Sequence, residues 1–326
     1  MRAFLCHEYG EAETMNVEET APPPMIENGV RIAVKASGVN FADTLIIKGE
    51  YQVRPPFPFS PGLEAAGEVI EVAPGVTDFH VGDKVMAMTG HGGFATEAVT
   101  DAGNLIPMPD GMAFTEAAAF PSVYGTSHIG LTEKLKLQPG ETLLVHGAAG
   151  GVGLTAVEIA KKLGATVIAT AGGPDKLAVA KQYGADHLID YHKEDIRERV
   201  KQLTDGRGAD AVYDPVGGSA FDASLRATAQ RGRILVVGFA SGTIPQIPAN
   251  IILVKNITVI GYYWGAHRKL DPALVKRSFA ELMDWYAAGD LKPHISHTFP
   301  LEQAADAMAM LKSRKSTGKV VLEIDT

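Results

Sequence analysis

Residues 141–171 read ETLLVHGAAGGVGLTAVEIAKKLGATVIATA. An apolar run, Thr142 to Val145, stops at Gly147. A glycine-dense loop then opens a segment in which Val152, Ala156, Ile159, Ala160 and Leu163 recur at three- and four-residue spacing. That spacing is one face of an amphipathic helix, and Gly164 stands where a C-terminal cap belongs. A second apolar run, Ala165 to Ala169, completes a strand–helix–strand unit.

The glycines of the turn have a physical role. Gly147, Gly150, Gly151 and Gly153 let backbone approach a pyrophosphate and aim amide N–H groups and the positive end of the helix dipole at it. GxGxxG is met only in part, because Ala148 replaces its first glycine, whereas GxxGxxG fits Gly147, Gly150 and Gly153. A plain strand-to-helix turn also carries glycines. Placement between a predicted strand and a predicted helix is the context a dinucleotide fingerprint requires.

Downstream, strand and helix patterns alternate. After Ala169 come a helix from Lys176 to Tyr183, a strand at Leu188–Ile189 and a helix from Asp195 to Leu203. A strand at Ala211–Tyr213, a helix from Phe221 to Ala227 and strands at Ile234–Val237 and Ile257–Ile260 follow. Such alternation predicts an α/β fold, a doubly wound parallel sheet of the Rossmann type with six strands, here assigned to residues 122–263. Helices at Glu116–Phe120 and Tyr124–Leu131 lead into it. Beyond it lie helices from Pro272 to Ala288 and Ala304 to Lys312. A final strand at Val320–Ile324 is expected to rejoin the first domain, since the sheet is already full.

Upstream, residues 1–121 read as a separate β-rich domain, completed by 264–326. Short runs such as Val30–Val34, Ala66–Val72 and Lys84–Met88 are spaced by turn residues (Glu27-Asn28-Gly29, Pro74-Gly75, Gly82-Asp83), the pattern of a small antiparallel barrel. Tyr51 to Pro61, rich in proline and aromatics, is too irregular for either element and reads as a loop, lining a pocket or lying on the surface.

Composition narrows the function classes. The 326 residues, 46% hydrophobic and 21% charged, suffice for two domains with real cores. A net charge of −8 argues against nucleic-acid binding through phosphate neutralisation. No apolar run approaches a membrane span, and MRAFLCHEYGEAE lacks the regions of a signal peptide. The lone Cys6 excludes an intrachain disulfide, and the expected compartment is the cytoplasm.

The end of the second strand bears on the coenzyme. NAD-binding folds place an acidic side chain there to accept from the ribose hydroxyls. This chain has Ala171-Gly172-Gly173 instead, so a 2′-phosphate is not repelled. Asp175 lies close by but reads as a helix-start residue. Lys176 offers positive charge and Tyr191 a hydroxyl, and the predicted coenzyme is NADPH.

These features together resemble the medium-chain dehydrogenase/reductase superfamily, and within it the zinc-independent NADPH:quinone oxidoreductase family that includes zeta-crystallin. The matching segments are SGVNFADTLIIKGEY (37–51), PGLEAAGEVIEVAPGVTDFHVGDKV (61–85), LVHGAAGGVG (144–153), VYDPVGG (212–218), GRILVVGFASG (232–242) and TGKVVL (317–322). The resemblance implies a GroES-like β-barrel joined to a Rossmann domain, usually in a homodimer. It implies catalytic roles for Asn40, Asp43 and Tyr51. Asn40 also matches a coenzyme-contacting position, as do Thr126, Gly150, Gly151, Val152, Gly173, Lys176, Tyr191, Phe239 and Lys319. Asp43 orients neighbours in this pattern, and Tyr51 is a hydrogen-bond donor to the acceptor or a packed loop aromatic. Several relatives have tyrosine where this chain has Leu45.

Zinc-dependent relatives carry cysteine at the position of Asn40 and histidine at that of Leu63, so no metal is expected here; Glu64 survives, and His146 reads as a packed residue. Without a Lewis acid the chemistry must suit an acceptor that takes hydride readily, a quinone or, alternatively, the double bond of an enone or alkenal. A non-catalytic role, as lens protein or RNA binder, is the remaining alternative that the resemblance carries. Ile251–Ile260 is expected to extend the sheet across a dimer, with Tyr262-Tyr263-Trp264 beside it or filling a gap between domains.

Overall fold

Thr142–Val145 and Thr166–Ala171 pair in parallel, Thr142 beside Thr166 and Val145 beside Ala169, with helix Gly151–Lys162 connecting them. Four more strands extend this core, and the computed structural model, which describes residues 1–325, orders all six as His187–Asp190, Thr166–Ala171, Thr142–Val145, Ala209–Asp214, Thr228–Val236 and Thr258–Gly261. Numbered along the chain, that is 3-2-1-4-5-6, the doubly wound order of the Rossmann fold. The order reverses between Thr142–Val145 and Ala209–Asp214, and ligands of such sheets bind beyond the carboxyl ends of the strands at this reversal. Leu144, Ile168, Ile189, Val212 and Ile234 fill one core with Phe221 from helix Gly218–Ala227, because a parallel sheet covered by helices must be apolar on both faces.

The chain divides into two compact units, Met1–Ser122 with the chain from Pro293 onward, and Val123–Lys292. Residues 264–292, expected with the first domain, group with the second. Helix Pro272–Ala287 buries Val275, Ser278, Phe279 and Leu282. The Ser278 hydroxyl shares a 2.9 Å hydrogen bond with His128, and the rings of Trp264 and Phe279 meet edge-on at 6.3 Å. Periodicity reveals such an apolar stripe but not what it covers. Ile251–Ile260 also departs from expectation. Ala249–Lys255 is a helix that ends on Asn256 at φ 51°, a left-handed cap that asparagine tolerates, and the strand is confined to Thr258–Gly261. Trp264 opens a further short helix, Trp264–Leu270.

In the first unit the eleven-residue strand Gly29–Val39 organises a seven-stranded sheet. It pairs antiparallel with Glu64–Val72, Glu97–Asp101 and Lys319–Glu323. Register shifts against Glu64–Val72 bend it, which is how a sheet curls into a GroES-like barrel. The chain's final strand rejoins this unit as expected, Val320 opposite Val39 and Leu322 opposite Ser37. Its inward residues pack with Ile32, Val34, Phe59, Val69 and Val85. Among the described residues no helix is long and apolar enough to cross a membrane.

Candidate active site

The glycine turn at the sheet's reversal is shaped by backbone contact. Gly147 has φ +56°, and a Cβ on Gly153 would lie 2.1 Å from the Gly147 carbonyl oxygen, so the helix start can pack this closely only without a side chain. At Gly150, the N-cap, the nearest atom to an added Cβ is 3.3 Å away and no side chain caps the helix. The amides of the first turn, at Gly151, Val152 and Gly153, therefore have no intrahelical acceptor and face a prospective anion.

Neighbouring elements brace this turn. The Ser127 hydroxyl donates to the Val152 carbonyl at 2.9 Å and bonds Thr155 and Tyr213 at 2.8 and 3.1 Å. Thr126, beside it on helix Pro121–Ile129, is half-buried, and its carbonyl accepts from the Tyr262 hydroxyl at 3.1 Å. After the fourth strand, Asp214 accepts from the Val216 and Gly217 amides, which fixes a second loop there. Phe239 is exposed, and its ring lies over Gly217, where an added Cβ would be 3.1 Å from it. His146 bonds Thr170 and Ser224 in the core, where burial lowers its pKa.

At the end of the second strand, Gly173 is the N-cap of helix Pro174–Gln182 at φ +92°, with open space where a Cβ would stand. Lys176 is half-buried in the first turn, and the Tyr191 hydroxyl reaches the Cα of Gly172 closely enough that an added Cβ would meet it at 2.7 Å. Asp190 accepts from the backbone amides of His192 and Gly173, and these bonds hold its carboxyl below the ordinary range. Asp175 lies exposed in the first helical turn.

In the barrel unit Asn40, Glu64 and Lys319 form a closed ring. The Lys319 ammonium donates to Glu64 Oε1 at 2.7 Å, Asn40 Oδ1 at 2.8 Å and the Val39 carbonyl at 3.1 Å. Asn40 Nδ2 donates to Glu64 Oε1 at 2.8 Å and to the Gly38 carbonyl at 3.2 Å. Glu64 Oε2 accepts from the Ser122 amide at 2.7 Å. A lysine only donates and a carboxylate only accepts, so the Asn40 amide has a single sensible orientation. Asp43, fully buried, caps helix Phe41–Ile46 by accepting from the Asn40 amide and also accepts from Gly62 and Leu63. Burial pushes its carboxyl up to about 7 against those donors. Leu45 and Tyr51 are half-buried, Tyr51 resting on the barrel core in a loop without regular structure.

The structure thus groups Asn40, Asp43 and Lys319 in one unit, and Thr126, Gly150, Gly151, Val152, Gly173, Lys176, Tyr191 and Phe239 in the other. The lysine's three N–H groups are all committed within the barrel unit, which its match to a coenzyme-contacting position did not foretell. Its pairing with Glu64 spans 255 residues and has no local signal in the sequence.

Two family models match the chain, the alcohol dehydrogenase GroES-like domain over residues 27–110 and the zinc-binding dehydrogenase domain over 151–287. The quinone oxidoreductase-like protein 2 homolog of Nematostella vectensis is 44% identical over 98% of this chain and 88% of its own. The chain belongs to the medium-chain dehydrogenase/reductase superfamily, in its zeta-crystallin-like quinone oxidoreductase family. A quinone oxidoreductase of Pseudomonas aeruginosa is 36% identical over 96% of this chain and 97% of its own. The Escherichia coli quinone oxidoreductase, solved in complex with NADPH, superposes with a TM-score of 0.92 at 31% identity, covering 99% of this chain and all of that one. Membership makes the protein an oxidoreductase of this superfamily.

Proposed function

We propose that the protein reduces quinones with NADPH and without zinc. The observation that carries the reading is the Asn40–Glu64–Lys319 ring. A catalytic zinc needs three convergent N, O or S ligands and an open fourth position. Here Asn40 and Leu63 stand where zinc-dependent relatives have cysteine and histidine, the surviving Glu64 is already neutralised by Lys319, and among the described residues no cluster of three or more His, Cys, Asp or Glu side chains is suited to a metal. Alcohol oxidation without a metal would require a positioned base, and Glu64 is committed to three donors. A conjugated acceptor makes no such demand.

In this reading the amides at Gly150, Gly151 and Val152 hold the diphosphate, and Lys176 and Tyr191 hold the 2′-phosphate. Phe239 and Thr126 are assigned to the nicotinamide half, and Asn40 is assigned a coenzyme contact from its match to the family pattern. Bound NADPH supplies the hydride. Asp43 keeps the Asn40 segment and the Gly62-Leu63 loop in register, and Tyr51 is assigned the hydrogen bond to the acceptor. The coenzyme assignment is supported by the NADPH complex of the Escherichia coli relative and by the absence of a carboxylate at Gly172.

The protein is also proposed to act as a cytoplasmic homodimer. Thr258–Gly261 pairs on one side only, and Leu253 and Val254 in the helix before it are 75% and 67% exposed, an apolar surface that a second copy would cover. The deciding experiment incubates the protein with NADPH and a panel of quinones, enones and alkenals, following nicotinamide absorbance, with metal content measured in parallel. Turnover with quinones at substoichiometric zinc is expected. Tight NADPH binding without turnover on any acceptor, or activity that tracks zinc, would overturn the reading.

A further inference from the structure

Two tyrosines meet against the helix that carries Thr126. Tyr213, at the centre of the parallel sheet between Val145 and Leu235, is fully buried, and Tyr262, just past the sixth strand, is 8% exposed. Both rings reach Gly130, the residue that follows helix Pro121–Ile129, where an added Cβ would lie 3.3 Å from Tyr262 and 3.4 Å from Tyr213. Phenylalanine would fill the same volume. A buried hydroxyl costs free energy unless it is hydrogen-bonded, so the partners of the two hydroxyls are the informative part.

Each hydroxyl holds one of two consecutive residues. That of Tyr262 donates to the Thr126 carbonyl at 3.1 Å, and that of Tyr213 shares a 3.1 Å bond with Ser127. Ser127 in turn donates to the Val152 carbonyl at 2.9 Å, in the first turn of helix Gly151–Lys162. Tyr213 is tied to the glycine turn through its backbone as well, its carbonyl accepting from the His146 amide at 3.1 Å. Burial raises the pKa of both phenols, so at neutral pH they act only as hydroxyls. Apolar packing is non-directional, whereas a hydrogen bond confines both distance and angle. Two hydroxyls from different strand ends, acting on neighbouring residues, therefore fix the helix both along and about its axis.

We propose that Tyr213 and Tyr262 are positioning residues for hydride transfer: through Ser127 and the Thr126 carbonyl they hold helix Pro121–Ile129 in register with the first turn of Gly151–Lys162, and so align the nicotinamide half of the coenzyme with its diphosphate half. The proposal rests on the coenzyme assignment above, in which Thr126 serves the nicotinamide and the Val152 amide the diphosphate. Ser127 links the two, so a slip of the helix moves one seat relative to the other. Misplacing a reacting group by about 1 Å costs on the order of 10²-fold in rate.

The test titrates NADPH and 2′,5′-ADP into wild type, Tyr213→Phe, Tyr262→Phe and Ser127→Ala, following the nicotinamide emission of bound NADPH. With an acceptor that the wild type turns over, it then measures kcat and the primary isotope effect of NADPH deuterated at the transferred hydrogen. Both tyrosine variants are expected to keep 2′,5′-ADP affinity within about twofold, to move nicotinamide emission toward that of free NADPH, to lower kcat by about tenfold and to raise the isotope effect. Tyr213→Phe combined with Ser127→Ala is expected to cost little more than Tyr213→Phe alone, because the hydroxyl acts through Ser127. Tyrosine variants that lose only melting temperature, with emission and isotope effect as in wild type, would overturn the proposal. Equal losses of affinity for NADPH and 2′,5′-ADP would overturn it too, since the diphosphate turn itself would then be disturbed. A wild type that does not bind NADPH would instead remove the coenzyme assignment beneath it.

Discussion

Replacing Lys319 with methionine removes a buried ammonium while keeping the aliphatic stem. Lys319 and Glu64 are 5% and 0% exposed at 2.7 Å, so the substitution leaves a carboxylate in the barrel interior with only Asn40 Nδ2 and the Ser122 amide for company. Breaking a buried pair from one side costs about 3–5 kcal/mol, most of it the stranded charge. For a unit of this size that corresponds to a fall in melting temperature of roughly 6–20 °C. Removing both charges, in Lys319→Met with Glu64→Gln, strands nothing and frees Asn40 to flip its amide. The double variant should then be more stable than the sum of the single effects by about 2–3 kcal/mol. Far-ultraviolet circular dichroism during urea unfolding is the suitable readout, because both tryptophans, Trp264 and Trp285, lie in the other unit. A Lys319→Met protein within about 1 kcal/mol of wild type, or strictly additive effects, would refute the reasoning.

The two glycines of the turn should separate folding from binding. Gly153→Ala drives a Cβ into the Gly147 carbonyl at 2.1 Å and should lower stability by about 2 kcal/mol or more. Gly150→Ala, with 3.3 Å available, should keep the melting temperature yet weaken NADPH, and the reverse pattern in thermal and binding curves would refute the assignment. Glu158, pushed up to about 7 by burial despite the 2.6 Å bond from Tyr124, favours the protonated form in the fold. Its contribution is complete below the unfolded value near 4.5 and is lost as pH rises through about 7. Between pH 5.5 and 8, Glu158→Gln should therefore gain about 2 kcal/mol relative to wild type; parallel stability profiles would count against it. Leu253→Asp with Val254→Lys should convert a dimer to monomer in sedimentation velocity, and a wild type already monomeric at micromolar concentration would dispose of that interface.

Local pattern was enough for the sheet. Each strand from Thr142–Val145 to Thr258–Gly261 shows as an apolar run, and each helix between them shows its stripe, because period and turn chemistry act over a few residues. The glycine turn was legible for the same reason, and so was the missing acid at Gly172. The sheet extension expected over Ile251–Ile260 gives way to a helix at Ala249–Lys255 because a short apolar run suits helix or strand equally, and the left-handed Asn256 ends it as a helix. The allegiance of 264–292 turned on which surface covered the stripe of Pro272–Ala287.

Sequence alone determined the two fold types and the glycine turn, since these rest on short-range spacing, and the superfamily followed from its resemblance to known members. Tertiary structure decided that Lys319 closes on Glu64 and Asn40 across 255 residues, and that Tyr191 and His192 occupy the room above Gly172. The physical reason is that charge pairing and excluded volume depend on distances in space. The chain can bring any two positions together, and no periodicity along it records which ones meet.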